Sequence, residues 1–299
     1  MTGMTHISAK HNKIAHMNAF DYLNYLFMLL ILFLMLFPLY YCLIVSVSDG
    51  SAVIRGDVVF APKGFDLNAY KAVFDNPQIL RSYGNTLLYT VVGTAINIFL
   101  TALCAYPLCR PRLRGRRVFN ALFLVTMFIN GGTIPLYLQV KSLHLMDTIW
   151  AIVLPTGINT YNMIIMRTFF SSIPEDLHEA AEIDGASQFQ TFVRVILPLS
   201  ETILATLVLF YAVAHWNSYM PALLYLNSAD KMPLQMTIRK MVVDSDIASM
   251  TTSGSSESLL SENKIKYAVV IISVLPMLVI YPFLQRYFVK GVMIGSVKG

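Results

Sequence analysis

Acidic, small and turn-forming residues follow one another at helical spacing between positions 171 and 200. Ser172 with Glu175 three residues on has the pattern of a capping box. Pro174 falls in a first turn, where its missing N–H costs little, and Glu175, Asp176 and Glu179 suit the positive end of a helix dipole. A short helix is expected over about 173–184, closed after Asp184 by Gly185 in the left-handed conformation. Leu177, Ala180 and Ala181 are expected to share one face of it. Residues 186–195 read as a second short helix, and Pro198 as the opening of an apolar helix beyond. The chemistry on offer is contact chemistry: small side chains let another surface approach closely, so the segment suits a groove on a partner protein. A surface helix that merely links two longer helices has the same pattern.

Bond-breaking chemistry has no comparable signature. The chain lacks a glycine-rich loop ending in Gly-Lys-Ser/Thr to cradle phosphates, and no His/Glu metal set or nucleophile with a base falls within its apolar stretches. Cys42, Cys104 and Cys109 have neither disulfide nor zinc spacing and read as packing residues. The polar groups inside the apolar stretches are chiefly amides and aromatics: Asn130 and Tyr137, then Asn159, Tyr161 and Asn162, then Trp216, Asn217 and Tyr219. Flat apolar faces beside amides are what a polyhydroxylated ligand needs. The same residue types also hydrogen-bond between membrane helices and form interfacial belts, where Trp150 is expected.

The elements that must position these residues follow from composition. Of the 299 residues 56% are hydrophobic and 13% charged, against roughly 45–50% and 25% in soluble domains. The apolar residues cluster in blocks long enough to cross about 30 Å of hydrocarbon. Six spanning helices are expected at about 22–47, 82–108, 118–140, 147–170, 200–226 and 266–288. The first is too long for a cleavable signal. The chain thus divides into a polar tail at 1–21, a membrane domain at 22–288 that includes the loop 171–200, and a tail at 289–299. Asn130, Gly131, Gly132 and Pro135 interrupt the third span, and Pro155, Gly157, Asn159 and Asn162 the fourth. Such breaks must be buried in protein or line a cavity, or else are kinks packed on neighbours. Arg110, Arg112, Arg114, Arg116 and Arg117 form a short loop without an acidic residue, so that loop is expected in the cytoplasm, together with both termini. The loops at about 48–81 and 227–265 are then external, the second with a Ser/Thr-rich stretch at 249–261. The net charge of +5 sits in loops, where it sets topology, and nucleic-acid binding is not expected.

Glu179-Ala180-Ala181, Asp184-Gly185-Ala186 and Leu197-Pro198 are similar, at matching spacing, to the EAA loop of binding-protein-dependent ABC importer permeases. Asn85-Thr86-Leu87, Gly131-Gly132 through Pro135-Leu136-Tyr137, Arg167 with Phe169-Phe170 ahead of Ile173-Pro174, and Trp216-Asn217 resemble carbohydrate permeases of the maltose type, from about residue 20 onward. The ending, Tyr281-Pro282-Phe283 through Lys290-Gly291 to Lys298-Gly299, is more similar to the branch for oligosaccharides from complex polysaccharides such as alginate or pectin fragments. Val195 and Glu201 depart from the family's usual isoleucine and proline. The resemblance implies an all-α membrane protein of six transmembrane helices in the bacterial plasma (inner) membrane. Leu177, Glu179, Ala180, Ala181, Asp184 and Gly185 would couple it to a separate ATPase. ATP and magnesium would then be bound by that partner, with no cofactor and no enzymatic activity in this chain. The other partners implied are a second homologous permease, a second ATPase subunit, an extracellular or periplasmic solute-binding protein and the oligosaccharide itself. The sugar's path would include Trp216 and Asn217, with Tyr219, Asn159, Tyr161, Asn162 and Asn130. An ion-coupled secondary transporter is the alternative, but it needs ionisable groups near the midplane. His215 is the one arguable case, since Glu201 and Arg167 fall at helix ends.

Overall fold

The computed structural model describes residues 18–251 and 264–282. The terminal tails, apart from residues 18–21, and most of the stretch 249–261 lie outside the described residues. In chain order the helices that position the site are α1 (Ala19–Ser46), α2 (Pro77–Cys109), α3 (Arg116–Phe128), α4 (Thr133–Ser142), α5 (Ile149–Val153), α6 (Thr160–Ser171), α7 (Glu175–Ile183), α8 (Glu201–Trp216), α9 (Leu234–Thr251) and α10 (Lys264–Pro282). Among the described residues no strand forms, and Ser48 with Phe65 makes an isolated bridge.

Helices α1, α2 and α10 are each long and apolar enough to cross a bilayer. The remaining span-length segments are bent pairs: α3 with α4 by 112°, α5 and its 3-10 continuation with α6 by 54°, and Gln188–Leu199 with α8 by 82°. The expected spans 118–140 and 147–170 are therefore not single rods. At the first break Ile129 is extended after the end of α3, Gly132 takes φ +87 just before α4, a conformation open to glycine, and Asn130 Oδ1 accepts the Gly132 N–H at 2.9 Å. Helix α2 starts at Pro77 rather than about 82, because Asn76 accepts the Gln78 N–H at 2.9 Å and the proline suits the first helical position. Helix α8 ends at Trp216, short of the expected 226, and a separate helix runs over Met220–Tyr225.

Helix α2 is the post around which the rest is arranged. Its buried stripe is small and polar, with Ser82, Thr86, Thr90, Gly93, Asn97 and Thr101 among its members, and small residues let α8 and α6 approach closely. Gly93 sits against the His215 ring, where a Cβ would lie 2.5 Å from Nε2. Asn97 is fully buried. Its Nδ2 donates to the carbonyls of Thr156 (2.5 Å) and Gly157 (2.8 Å), which the break before α6 leaves without helical partners. With that nitrogen committed, Asn97 Oδ1 accepts from His215 Nε2 at 2.5 Å. On the far side of the break the Asn159 N–H donates to the Tyr211 hydroxyl at 3.2 Å, and that hydroxyl also pairs with Thr101 at 2.7 Å. The interrupted span is thus satisfied by side chains of its neighbours.

Helix α9 replaces much of the expected external loop 227–265. Thr86 Oγ1 caps its start by accepting the Leu234 N–H at 2.7 Å, and Ser82 pairs with Thr237 at 2.8 Å. Leu234 joins Ala69, Val73, Ile79, Ala268 and Val269 in one apolar cluster. Arg239, Lys240, Asp244 and Asp246 keep this segment's hydropathy low, so a search for apolar runs passes over it.

Asn97→Leu should cost about 1 to 3 kcal/mol, because it strands two carbonyls and the His215 ring. Gly93→Ala should act in the same direction by pushing His215 off Asn97. Thermal unfolding of the purified protein checks both, and unchanged midpoints would contradict the arrangement.

Candidate functional site

Helix α7 forms where the acidic, small-residue pattern requires it, but its start differs from expectation. Ser172 ends α6 and its hydroxyl donates back to the Phe169 carbonyl at 2.7 Å, so it cannot cap α7. Pro174 occupies the N-cap position without a side-chain bond, and Glu175 and Asp176 supply the favourable charge in the first turn. The capping box lies one helix later: Ser187 Oγ accepts from Gln190 N at 3.3 Å while Gln190 Oε1 accepts from Ser187 N at 2.8 Å. The Ser-x-x-Gln spacing is visible in the sequence. The expected second helix over 186–195 is present as Gln188–Leu199: an α-turn at Gln188–Thr191 widens into a π-helical segment over Phe192–Ile196 and continues through Pro198.

The far end of α7 closes as its glycine predicts. Gly185 takes φ +79, its N–H donates to Glu182 O at 3.1 Å, and Ala186 N donates to Ala181 O at 2.9 Å. This is a Schellman closure. Ala180 and Ala181 do not share a face. Ala181 and His178 are buried toward the bundle, whereas Leu177, Ala180 and Asp184 face outward with Ile183, which is 86% exposed. Successive helical residues are about 100° apart, so neighbours in sequence divide between the faces.

The inward face is fastened to the end of α2. Arg110, which caps that helix, is 7% exposed. Its Nη2 donates to Glu182 Oε1 at 3.2 Å, and its Nη1 lies 3.1 Å from Glu175 Oε1 as an ion pair without hydrogen-bond alignment. Arg112 donates to Glu182 Oε2 at 3.0 Å and to Glu179 Oε1 at 3.4 Å. The Gln188 amide, donating to Glu182 at 2.7 Å, and the two guanidiniums hold the Glu182 carboxyl below the usual carboxylate range. His178 stacks on Tyr106 with ring centroids 6.0 Å apart, and Tyr106 on Phe192 at 4.8 Å. Burial, followed by the Arg110 charge, lowers the His178 pKa and keeps the ring neutral at neutral pH. A cavity of about 530 Å³ beside this joint is lined by Leu103, Tyr106, Arg112, Phe189 and Phe192. These contacts put the arginine loop and the 171–200 loop on the same side of the helices.

The candidate path residues occupy three places. Asn130 lies exposed at the α3–α4 break. Asn159 caps α6 by accepting from Asn162 N at 3.1 Å, with Tyr161 exposed and Asn162 buried beside it. Asn217 is exposed at the end of α8, its Nδ2 donating to Val213 O at 3.0 Å, and Tyr219 lies under the Arg239 guanidinium, 4.8 Å from the ring centre. Trp216 is placed differently from its expected role. It is 3% exposed, its Nε1 donates to Ser273 O of α10 at 3.0 Å and its ring meets Tyr83 edge-on, so in this conformation it presents no face to a ligand. His215 is likewise committed, to Asn97. Sequence reasoning passed over Asp147 at this end. Its carboxylate accepts from Lys231 Nζ (2.8 Å), Ser228 Oγ (2.6 Å) and the N–H groups of Ser228 and Asn227 (both 3.0 Å), and these donors hold it well below the usual carboxylate range. Lys231 lies 84 positions away, so no local pattern reveals the pair.

Two predictions follow from the joint. No atom lies within 4 Å of a Cβ built on Gly185, so Gly185→Val should cost about 1 kcal/mol or more through backbone strain alone, and Gly185→Asn much less. Thermal unfolding of the two variants checks the order. Glu182 and His178 both have folded pKa values below their ordinary ones, so each contributes stability above its ordinary value and loses it as pH falls through the folded one. The attachment of α7 should therefore be complete at neutral pH, weaken first below about 6.5 and again below the ordinary carboxylate range. Distances between spin labels on α7 and α2 across pH check this, and loosening toward alkaline pH instead would contradict it.

Residues 13–294 match the family described as the inner membrane component of binding-protein-dependent transport systems. The chain is 43% identical over 296 residues to Protein LplC of Bacillus subtilis (strain 168), spanning 99% of this chain and 100% of that protein. It is 41% identical over 281 residues to the polygalacturonan/rhamnogalacturonan transport system permease protein YtcP of the same organism, spanning 94% of this chain and 98% of that one. Its fold is similar to a chain in the crystal structure of a bacterial ABC transporter involved in the import of the acidic polysaccharide alginate. The TM-score is 0.81 and the identity 35%, over 90% of this chain and 96% of that one. An all-helical membrane chain matched over nearly its whole length in this way belongs to the family of inner membrane components of binding-protein-dependent transport systems.

Proposed function

We propose that this chain is the oligosaccharide permease of an ABC importer, forming half of a translocation path and coupling it through α7 to a separate ATPase. The observation that carries the reading is α7 itself: it is anchored to α2 by its inward face while Leu177, Ala180 and Ile183 stand free on the outward one. A fastened helix with an unpartnered apolar and small-residue face suits a groove on an ATPase. Two such subunits would bind the ATP and magnesium. A second, homologous permease would cover faces that this chain leaves open, since α1 is buried only at Ile44, Val45 and Ser46 and no residue of α3 is buried. A periplasmic or extracellular solute-binding protein would deliver substrate at the opposite end.

Orientation follows from the arginine loop. Arg110 and Arg112 tie it to α7, so by the positive-inside rule both would face the cytoplasm. If each bent pair makes one crossing, the six spans would leave both termini on that side of a bacterial inner membrane. For the sugar, Asn217 and Tyr219 supply an amide and an aromatic face at the outer end of α8, with Arg239 as a neighbouring cation suited to a carboxylate-bearing sugar. Asn159, Tyr161, Asn162 and Asn130 would contribute at the helix breaks, while Trp216 holds α8 in place.

Purification from native membranes should recover an ATPase and a solute-binding protein, and a cysteine at position 115 should react only with reagent added from the cytoplasmic side. Alanine at 217 or 219 should reduce oligosaccharide uptake in the intact complex, and Arg239→Gln should do so selectively for acidic sugars. Trp216→Ala should destabilise the fold by about 3 to 5 kcal/mol, as is usual for a buried aromatic, and this is read as a lower unfolding temperature. Recovery without any ATPase, or external labelling at 115, would overturn the reading.

A further inference from the structure

We infer that Arg110 is the positioning residue through which α7 moves α2, so that displacement of the docking helix reaches the helix breaks and the opposite face. The inference rests on the coupling role proposed for α7 and adds the route by which that coupling travels. Glu175 and Glu182 are separated by seven residues, nearly two turns, and one guanidinium contacts both at 3.1 and 3.2 Å. Two anchor points on one helix face fix its tilt as well as its rotation. Tyr106, one turn before Arg110 on α2, stacks on His178 between the two carboxylates. The three contacts form a line along α7, charged at its ends and aromatic at its centre.

The chain on either side of α7 is less constraining. Ser172, Ile173 and Pro174 link it to α6 without a side-chain cap, and Gly185 supplies a left-handed turn at the other end. Arg112 adds a second clamp on Glu179 and Glu182, but its side chain is 62% exposed, where ion pairs contribute little. Arg110 is nearly enclosed, so removing its partners leaves an uncompensated charge and the contact resists being broken. Arginine is also specific here, because its planar fork reaches two carboxylates at once whereas a lysine ammonium is a single point.

A push on α7 is therefore a push on α2, whose 33 residues make a rod of about 50 Å. Midway along it, Asn97 holds the carbonyls at the break before α6. At its far end Gln78 donates to Ala229 O at 2.6 Å, Asn85 to Asp230 O at 2.7 Å and Tyr89 to Lys231 O at 2.8 Å. The same loop is held to Asp147 through Lys231 and Ser228. One continuous helix thus joins the docking helix, the interrupted span and the loop at the opposite face.

The test uses the assembled importer in proteoliposomes, comparing wild type with Arg110→Gln, Arg110→Lys and the double variant Glu175→Gln with Glu182→Gln. ATPase retention, ATP hydrolysis and oligosaccharide uptake are measured on each preparation. Arg110→Gln should keep its ATPase, because the outward face of α7 is untouched, yet lose roughly tenfold in uptake per ATP hydrolysed, a loss typical of a broken coupling contact. The double variant should reproduce that loss even if Arg110→Gln fails to assemble, and Arg110→Lys should restore part of it. An unchanged ratio of uptake to hydrolysis in the double variant, with ATPase bound, would overturn the inference. Wild type that binds no ATPase would instead overturn the proposed function.

Discussion

Hydrocarbon offers no water to a carbonyl or amide that a helix has released, and the interruption of the fourth span releases several. Asn97 accepts this constraint for the whole bundle. Its amide nitrogen holds Thr156 and Gly157, its oxygen holds His215, and Tyr211 takes the Asn159 amide on the other side. Two consequences follow. Gly93 must lack a side chain to admit the His215 ring, and α2 and α8 must lie close enough for side chains on both to reach the same break. The packing of the centre is in this sense set by the defect it surrounds.

That arrangement makes α2 the common element of three zones that are far apart in sequence. It carries the fastening of α7 at one end, the repair of the broken span in its middle and the anchorage of residues 229–234 at the other. The fastenings differ in strength for a physical reason. Exposed pairs such as Arg112 with Glu179 are screened by water, while the nearly enclosed Arg110 cannot recover its solvation if its carboxylates leave. The enclosed group therefore resists separation more than the exposed ones do.

The contrast between Trp216 and Tyr219 shows how burial decides the use of similar side chains. Both are amphipathic aromatics near the end of α8. Trp216 has its single donor taken by Ser273 and its ring against Tyr83, so it fixes helices. Tyr219, three residues on and past the helix end, remains partly open beneath Arg239. A segment of low hydropathy can likewise be a firm structural part: α9 holds its place through a threonine cap and an apolar cluster rather than through an apolar run.

Much of this was legible in the residues alone, because the relevant physics is local or compositional. Long apolar blocks dictate helices in a membrane, and glycines and prolines mark where a span must break. Helix α7 and its glycine terminator were likewise visible, since helix periodicity and a left-handed turn act within a few residues. Other features depended on which surface lies opposite. Ser172 could cap α7 by spacing, but the end of α6 claims its hydroxyl. Ala180 and Ala181 are neighbours in sequence, yet only the presence of α2 separates an inward residue from an outward one. Nothing near Arg110 in the chain identifies Glu175 and Glu182 as its partners, and nothing near Asp147 identifies Lys231. Such pairs bring together charges from distant segments, and only the folded arrangement of α2 against its neighbours determines which charges meet.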